Sequence, residues 1–172
     1  MPARIDEAAI RDAMIEEEAA SRDIADALAE MKARKIASKT PGSLVLGCDQ
    51  VLDLDGRLFS KPETPDAALC QLKALRGKAH QLLSAAVLFE DNRPVWRNVG
   101  VVRLQMREAS DKYLEHYVER NWDSIRHSAG AYKLEEEGVR LFTQVRGDYF
   151  NVLGLPLIEL LSYLELRGVL ET

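Results

Sequence analysis

The sequence predicts a mixed α/β domain, and two observations carry that reading. Segments with helical spacing alternate with segments of strand character. Their order is helix, strand, helix and then a long hairpin, which departs from the strict alternation of a purely parallel sheet. No internal repeat or low-complexity linker interrupts the chain, so residues 1–172 read as a single domain, long enough to bury a substantial core.

The elements follow in order. The first segment is acidic and alanine-rich, and Glu16-Glu17-Glu18 reads as a solvated face or turn. Ser21 is a suitable N-cap for a helix over 21–38, with Ile24, Leu28 and Met31 on one face and Pro41-Gly42 closing the unit. Residues 44–54 read as a strand that turns at Asp55-Gly56. Thr64-Pro65 opens a second helix with proline at its first position, Leu69, Leu72 and Leu75 as its stripe, and Gly77 as its stop. Residues 81–89 and 95–106 form two long strands around a turn spanning Glu90-Asp91-Asn92-Arg93-Pro94. Trp96, Val102, Leu104 and Met106 share one alternating face of the second. Ser110 caps a helix that turns Tyr113, Leu114, Tyr117 and Val118 inward. A strand over 139–145 leads to the turn Arg146-Gly147-Asp148. A last helix begins near Pro156, carries Leu157, Leu160, Leu161 and Leu164, and stops before Gly168.

Charge and cysteine content narrow the function classes. A net charge of −5 and a pI near 5.3 argue against a general nucleic-acid binder but leave room for a small nucleotide, which needs only a few local cations. Cys48 and Cys70 are too few for a disulfide framework, sit in apolar contexts and read as reduced, buried thiols. Neither a membrane-length apolar stretch nor a signal-peptide pattern is visible, so the expectation is a soluble, cytoplasmic protein.

Gly47-Cys48-Asp49-Gln50-Val51 is the stretch richest in chemistry. It sets a carboxylate directly after the apolar run Leu44-Val45-Leu46, and ligand crevices of α/β sheets lie at the carboxyl ends of strands. Lys61-Pro62 follows on a loop stiffened by proline. An acid and a lysine suit a phosphate substrate, the acid handling a metal or water and the lysine the phosphate charge. Read alone, Asp49 is equally a turn-former, and Lys61 a solvated lysine. Lys32 lies at the margin of its helix's apolar stripe, either complementing the helix dipole or leaning into a crevice. Glu7 reads as a first-turn acid, and Glu135-Glu136-Glu137 as an exposed turn. His80, His116 and His127 lack metal-ligand spacing and read as structural or exposed. There is no Ser-His-Asp order, zinc pattern, dinucleotide fingerprint or phosphate loop, so a phosphate enzyme built on this chain must rely on lysines, arginines and a metal.

In this order the motifs resemble the Maf family of nucleoside triphosphate pyrophosphatases, over essentially the whole chain. Ile5-Asp6-Glu7 is similar to the family's early acidic motif, and Leu28-Ala29-Glu30-Met31-Lys32-Ala33 to its helical lysine motif. Gly47-Cys48-Asp49-Gln50-Val51 matches the strand-end acid. Phe59-Ser60-Lys61-Pro62 matches the glycine-lysine-proline loop, with Ser60 in place of glycine. Ser128-Ala129-Gly130-Ala131-Tyr132 resembles the alanine-glycine-tyrosine segment. Gly147-Asp148-Tyr149-Phe150-Asn151-Val152-Leu153-Gly154-Leu155-Pro156 is the most specific match.

The resemblance implies an elongated central sheet flanked by helices, as in inosine triphosphatase-like folds, and hydrolysis of a nucleoside triphosphate to the monophosphate and pyrophosphate. It implies catalytic roles for Asp49, Lys32 and Lys61, and a divalent cation, Mg²⁺ or Mn²⁺, held by Glu7 and Asp49. Gln50 and Glu135 take the positions that set base preference, and this pair looks like the branch acting on 7-methylguanosine triphosphate. A carboxylate such as Glu135 accepts from the N1 and N2 protons of guanine, and methylation at N7 makes that base cationic. A homodimer, and clearance of modified nucleotides with a link to cell-division arrest, are implied as well. Family members carry a strand and a serine- and arginine-rich turn upstream of the early acidic motif. Here Glu7 lies almost at the start, so the expectation is an N-terminally truncated domain. The competing expectation is a catalytically impaired nucleotide-binding or division-regulating protein with the same fold.

Overall fold

In the computed structural model, which describes residues 7–171, the chain is mixed α/β. The described elements are α1 (Glu7–Glu16), α2 (Ser21–Ala37), β1 (Val45–Leu54), β2 (Arg57–Phe59), α3 (Pro65–Leu75), β3 (Ala79–Glu90), β4 (Arg93–Met106), α4 (Asp111–Ile125), a 3₁₀ segment (Glu137–Leu141), β5 (Phe142–Arg146), α5 (Tyr149–Val152) and α6 (Leu157–Leu166). The strands form one sheet in the order β2-β1-β3-β4-β5. Leu52, Asp53 and Leu54 of β1 pair antiparallel with Phe59, Leu58 and Arg57 of β2 across the turn Asp55-Gly56. Both turn residues have positive φ, 52° and 85°, the geometry that matches strand twist in a two-residue hairpin.

Several boundaries differ from the sequence expectation for local reasons. Ala20, not Ser21, is the N-cap of α2, and no side chain caps it. The β3–β4 turn is only Asp91-Asn92, with φ of 47° and 60°, and Arg93 and Pro94 already belong to β4. The expected strand over 139–145 begins as the 3₁₀ segment and becomes strand only at Phe142. Leu161, assigned to the inner face of α6, is 44% exposed. Cys48 and Cys70, expected as buried thiols, are half-buried and exposed respectively, Cys70 lying on a solvent-facing position of α3. By contrast, Thr64 accepts from Ala67 N at 3.1 Å with Pro65 at the first helical position, and Ser110 accepts from Tyr113 N at 3.2 Å.

The chain divides into two compact units. Unit 1 comprises the described residues of Met1–Gln50, Ser84–Gly100 and Leu153–Thr172, and unit 2 comprises Val51–Leu83 and Val101–Val152. In unit 1, α6 docks through Tyr163, whose ring stacks on Trp96 at 5.7 Å and whose hydroxyl donates to the Val95 carbonyl at 3.3 Å. Arg97 of β4 reaches Asp26 and Glu30 of α2 at 2.5 and 2.9 Å. In unit 2, the core gathers Leu52, Leu72, Leu75, Val102, Leu104, Met106, Leu114, Tyr117 and Leu141. Its buried His80 sits against the Tyr132 and Phe142 rings, with Nε2 at 2.9 Å from the Tyr132 hydroxyl. That histidine is structural. Among the described residues, no helix is long and apolar enough to cross a membrane.

Candidate active site

The site in unit 1 begins with how α2 meets β1. Ala25, Ala29, Ala33 and Ala37 recur every fourth residue along α2 and are all buried. Their small side chains let the helix backbone approach the strand, and Gly47 completes the approach. A Cβ at Gly47 would stand 2.5 Å from Ala33 N and 2.8 Å from Ala33 Cβ, and would collide with the Ala29 carbonyl oxygen. Two of those three obstacles are backbone atoms, so they yield only if the whole helix shifts.

This close packing delivers Lys32 to Asp49. The Lys32 ammonium donates to Asp49 Oδ1 at 2.5 Å, and Glu7 Oε2 lies 3.5 Å from the same nitrogen. Asp49 is the most enclosed of the three, its side chain 14% exposed against 34% for Lys32 and 54% for Glu7. Burial alone would pull the Lys32 pKa down. The hydrogen bond and charge of Asp49, with Glu7 adding to them, outweigh burial and raise it. Burial pushes the neighbouring Cys48 thiol up, which leaves it protonated and weakly nucleophilic.

Successive strand residues point to opposite faces, so Asp49 shares the Gly47 face and Gln50 takes the other. Gln50 Nε2 donates to Ser84 Oγ of β3 at 2.8 Å. The structure thus brings Glu7, Lys32 and Asp49 into one cluster and sets Gln50 beside them on the strand. Lys61 and Glu135 belong to unit 2.

Lys61 is exposed, and its loop is anchored on either side of it. Pro62 is buried, and Gln71 of α3 donates to the Ser60 carbonyl at 2.8 Å while accepting from Gly130 N at 3.0 Å. One glutamine therefore ties together two of the motifs singled out in the sequence. Glu135 is exposed, but the acidic run is not the uniformly solvated turn expected of it. Glu136 accepts from Ser124 Oγ at 2.8 Å, and Glu137 accepts from Arg120 Nη2 at 2.7 Å and Asn121 Nδ2 at 2.8 Å. These partners hold both carboxyls below the usual range, Ser124 foremost for Glu136 and Arg120 foremost for Glu137. In the closing motif, Asp148 Oδ2 accepts from both Asn151 N and Nδ2, at 3.0 and 3.2 Å, and so caps the short α5.

Sequence reasoning missed Gly47 as a packing residue and Ser84 altogether. The alanine spacing of α2 facing a glycine in the next strand was the available signal for the first. For the second it was one hydroxyl inside an apolar strand.

The donor chemistry suits a hard divalent cation. Asp49 and Glu7 already share one cation, the Lys32 ammonium, and Mg²⁺ is commonly held by one or two carboxylates together with substrate phosphate oxygens. Among the described residues, no three His, Cys, Asp or Glu side chains converge, so Asp49 and Glu7 are the carboxylates the described residues would offer to such a shell.

Comparison with known proteins places this geometry in context. A family model described as Maf-like protein matches residues 1–167. A nucleoside triphosphate pyrophosphatase of Ruegeria pomeroyi is 64% identical over 169 residues, covering 98% of this chain and 85% of the relative. A protein of the same name from Roseobacter denitrificans is 68% identical over 166 residues, covering 96% and 83%. Another, from Caulobacter vibrioides, is 49% identical over 166 residues, with 96% and 83% covered.

Proposed function

The chain belongs to the Maf family, and from that premise we propose that it hydrolyses a nucleoside triphosphate between the α- and β-phosphates, releasing the monophosphate and pyrophosphate. The observation that carries the proposal is the Lys32–Asp49 pair, an enclosed carboxylate held 2.5 Å from an ammonium with a second carboxylate at hand.

Asp49 acts as the base that takes the proton of the attacking water. In the resting site the Lys32 ammonium donates to that carboxylate and orients it. During the reaction it faces charge building on the phosphates, as Lys61 does from its anchored loop. Asp49 and Glu7 would hold a divalent cation, Mg²⁺ or Mn²⁺. When bound, it supplies charge neutralisation for the triphosphate and a more acidic water. Gln50 and Glu135 select the base, with 7-methylguanosine triphosphate as the preferred substrate. The working form is a cytoplasmic homodimer.

Product analysis with 7-methylguanosine triphosphate, GTP, dTTP and UTP tests this reading, with Mg²⁺ or Mn²⁺ added or chelated. The expected result is pyrophosphate plus monophosphate, fastest for the methylated nucleotide and lost on chelation. Release of inorganic phosphate alone would refute the cleavage position. No turnover by folded protein would refute activity of this chain, and equal rates on all four nucleotides would refute the base assignment.

A further inference from the structure

Residues 82–89 of β3 are all buried, and Ser84 is the only polar side chain among them, with 0% exposure. A hydroxyl in such a run costs stability unless a partner satisfies it, and here Gln50 Nε2 lies 2.8 Å from its oxygen. The flanking Leu83, Ala85 and Ala86 are equally enclosed, so the hydroxyl is fixed by the core. Gln50 is the opposite kind of side chain, long and rich in rotamers, and it works as a selector only if its amide is held in place. The surroundings of that amide are shaped too. A Cβ at Gly154 would come to 4.0 Å from Gln50 Nε2, and with a φ of +100° that position also disfavours any side chain.

We propose that Ser84 is a positioning residue for nucleotide selection, its buried hydroxyl fixing the Gln50 amide against β3 so that one base is favoured over others. The inference rests on Gln50 being a base-selecting residue and adds the group that makes it one. Ser84 touches no substrate. It acts through Gln50 alone, in the way that rigid support around a site sets its precision.

The test is a double-mutant cycle read as a preference. kcat/KM is measured for 7-methylguanosine triphosphate, GTP, dTTP and UTP in the wild type, Ser84→Ala, Gln50→Ala and the double variant. Loss of one hydrogen bond should narrow the ratio between best and worst substrate by about three- to tenfold in Ser84→Ala. The same substitution should leave the ratio unchanged in the Gln50→Ala background, since a purely structural loss would lower all four rates together in both backgrounds. Ser84→Thr, which keeps the oxygen, should restore the wild-type ratio, and it serves as the folded comparison if alanine destabilises the strand. A wild-type ratio in Ser84→Ala beside an altered one in Gln50→Ala would overturn the role of Ser84 and spare that of Gln50. Independent, multiplying effects would overturn it as well. A wild-type ratio in Gln50→Ala would overturn base selection by Gln50, and this inference with it, without touching the hydrolysis reaction.

Discussion

Asp49 and His80 show two uses of an enclosed titratable group. Asp49 is paired with the Lys32 ammonium at 2.5 Å, so its role rests on charge. Asp49→Asn keeps the shape and removes the charge, and turnover should fall by about 10²–10⁴ with the circular dichroism spectrum unchanged. Full activity in that variant would remove Asp49 from the mechanism. His80 is kept neutral instead, because burial lowers its pKa from 6.5 to about 4. The unfolded chain takes up a proton near pH 6.5 while the folded protein does not. The stability due to His80 is therefore complete above that pH and declines as the pH falls towards 4, by about 3 kcal/mol in all. Urea denaturation above and within this window should show the decline, and His80→Phe should flatten it. A pH dependence identical to wild type in that variant would assign the effect to other groups.

At the level of elements, the contact between α2 and β1 makes the site. Gly47→Ala should push α2 off the strand, costing about 1–3 kcal/mol by overpacking, as thermal or urea unfolding would measure. Because the displaced helix carries Lys32, kcat should fall in the protein that remains folded, whereas an unchanged kcat would show that the helix can move without disturbing the pair. The alanine spacing of α2 and Gly47 signalled that contact, but the pairing of Lys32 with Asp49 was not legible in the residues, since the two are separated by a loop and meet only through packing. What could be read was local. Thr64-Pro65 and Ser110 declare their helices through caps that bond three residues ahead. Asp49 stood out because it follows an apolar run read as the end of a buried strand. It lies instead in the middle of β1, five residues before its last, and Leu44 and Leu46 of that run are exposed. The resemblance supplied its partners. The start of the 139–145 segment could not be read, because Gly138 and Val139 take a 3₁₀ turn whose anchors, Arg120, Asn121 and Ser124, lie on α4. The hairpin turn was over-long in the reading because Pro94 signals a turn, yet its fixed φ also suits a strand position.

For the whole molecule, charge sets the terms on which a nucleotide is met. The protein carries a net −5, and a field of that sign would favour a nucleotide with a cationic base over one with a neutral base. Replacing Glu135 by Gln and Gln50 by Thr together removes one negative charge and exchanges a carboxylate acceptor for an amide, which suits pyrimidine imides. That double variant should shift kcat/KM from 7-methylguanosine triphosphate towards dTTP and UTP by about tenfold or more, as discrimination by hydrogen-bonding groups allows. An unchanged profile would count against base selection at these positions.

The stacking of Trp96 on Tyr163 has a practical consequence for watching the protein unfold. The chain has two tryptophans, and the division of the fold gives one to each unit, Trp96 to unit 1 and Trp122 to unit 2. Trp122→Phe thus leaves a fluorophore that reports on the seating of α6, and Trp96→Phe leaves one that reports on α4. Emission from the two single-tryptophan proteins, followed through the same denaturant gradient, gives each unit its own melting curve. Coincident midpoints would mark one cooperative transition and separate midpoints two, with no label attached to the protein.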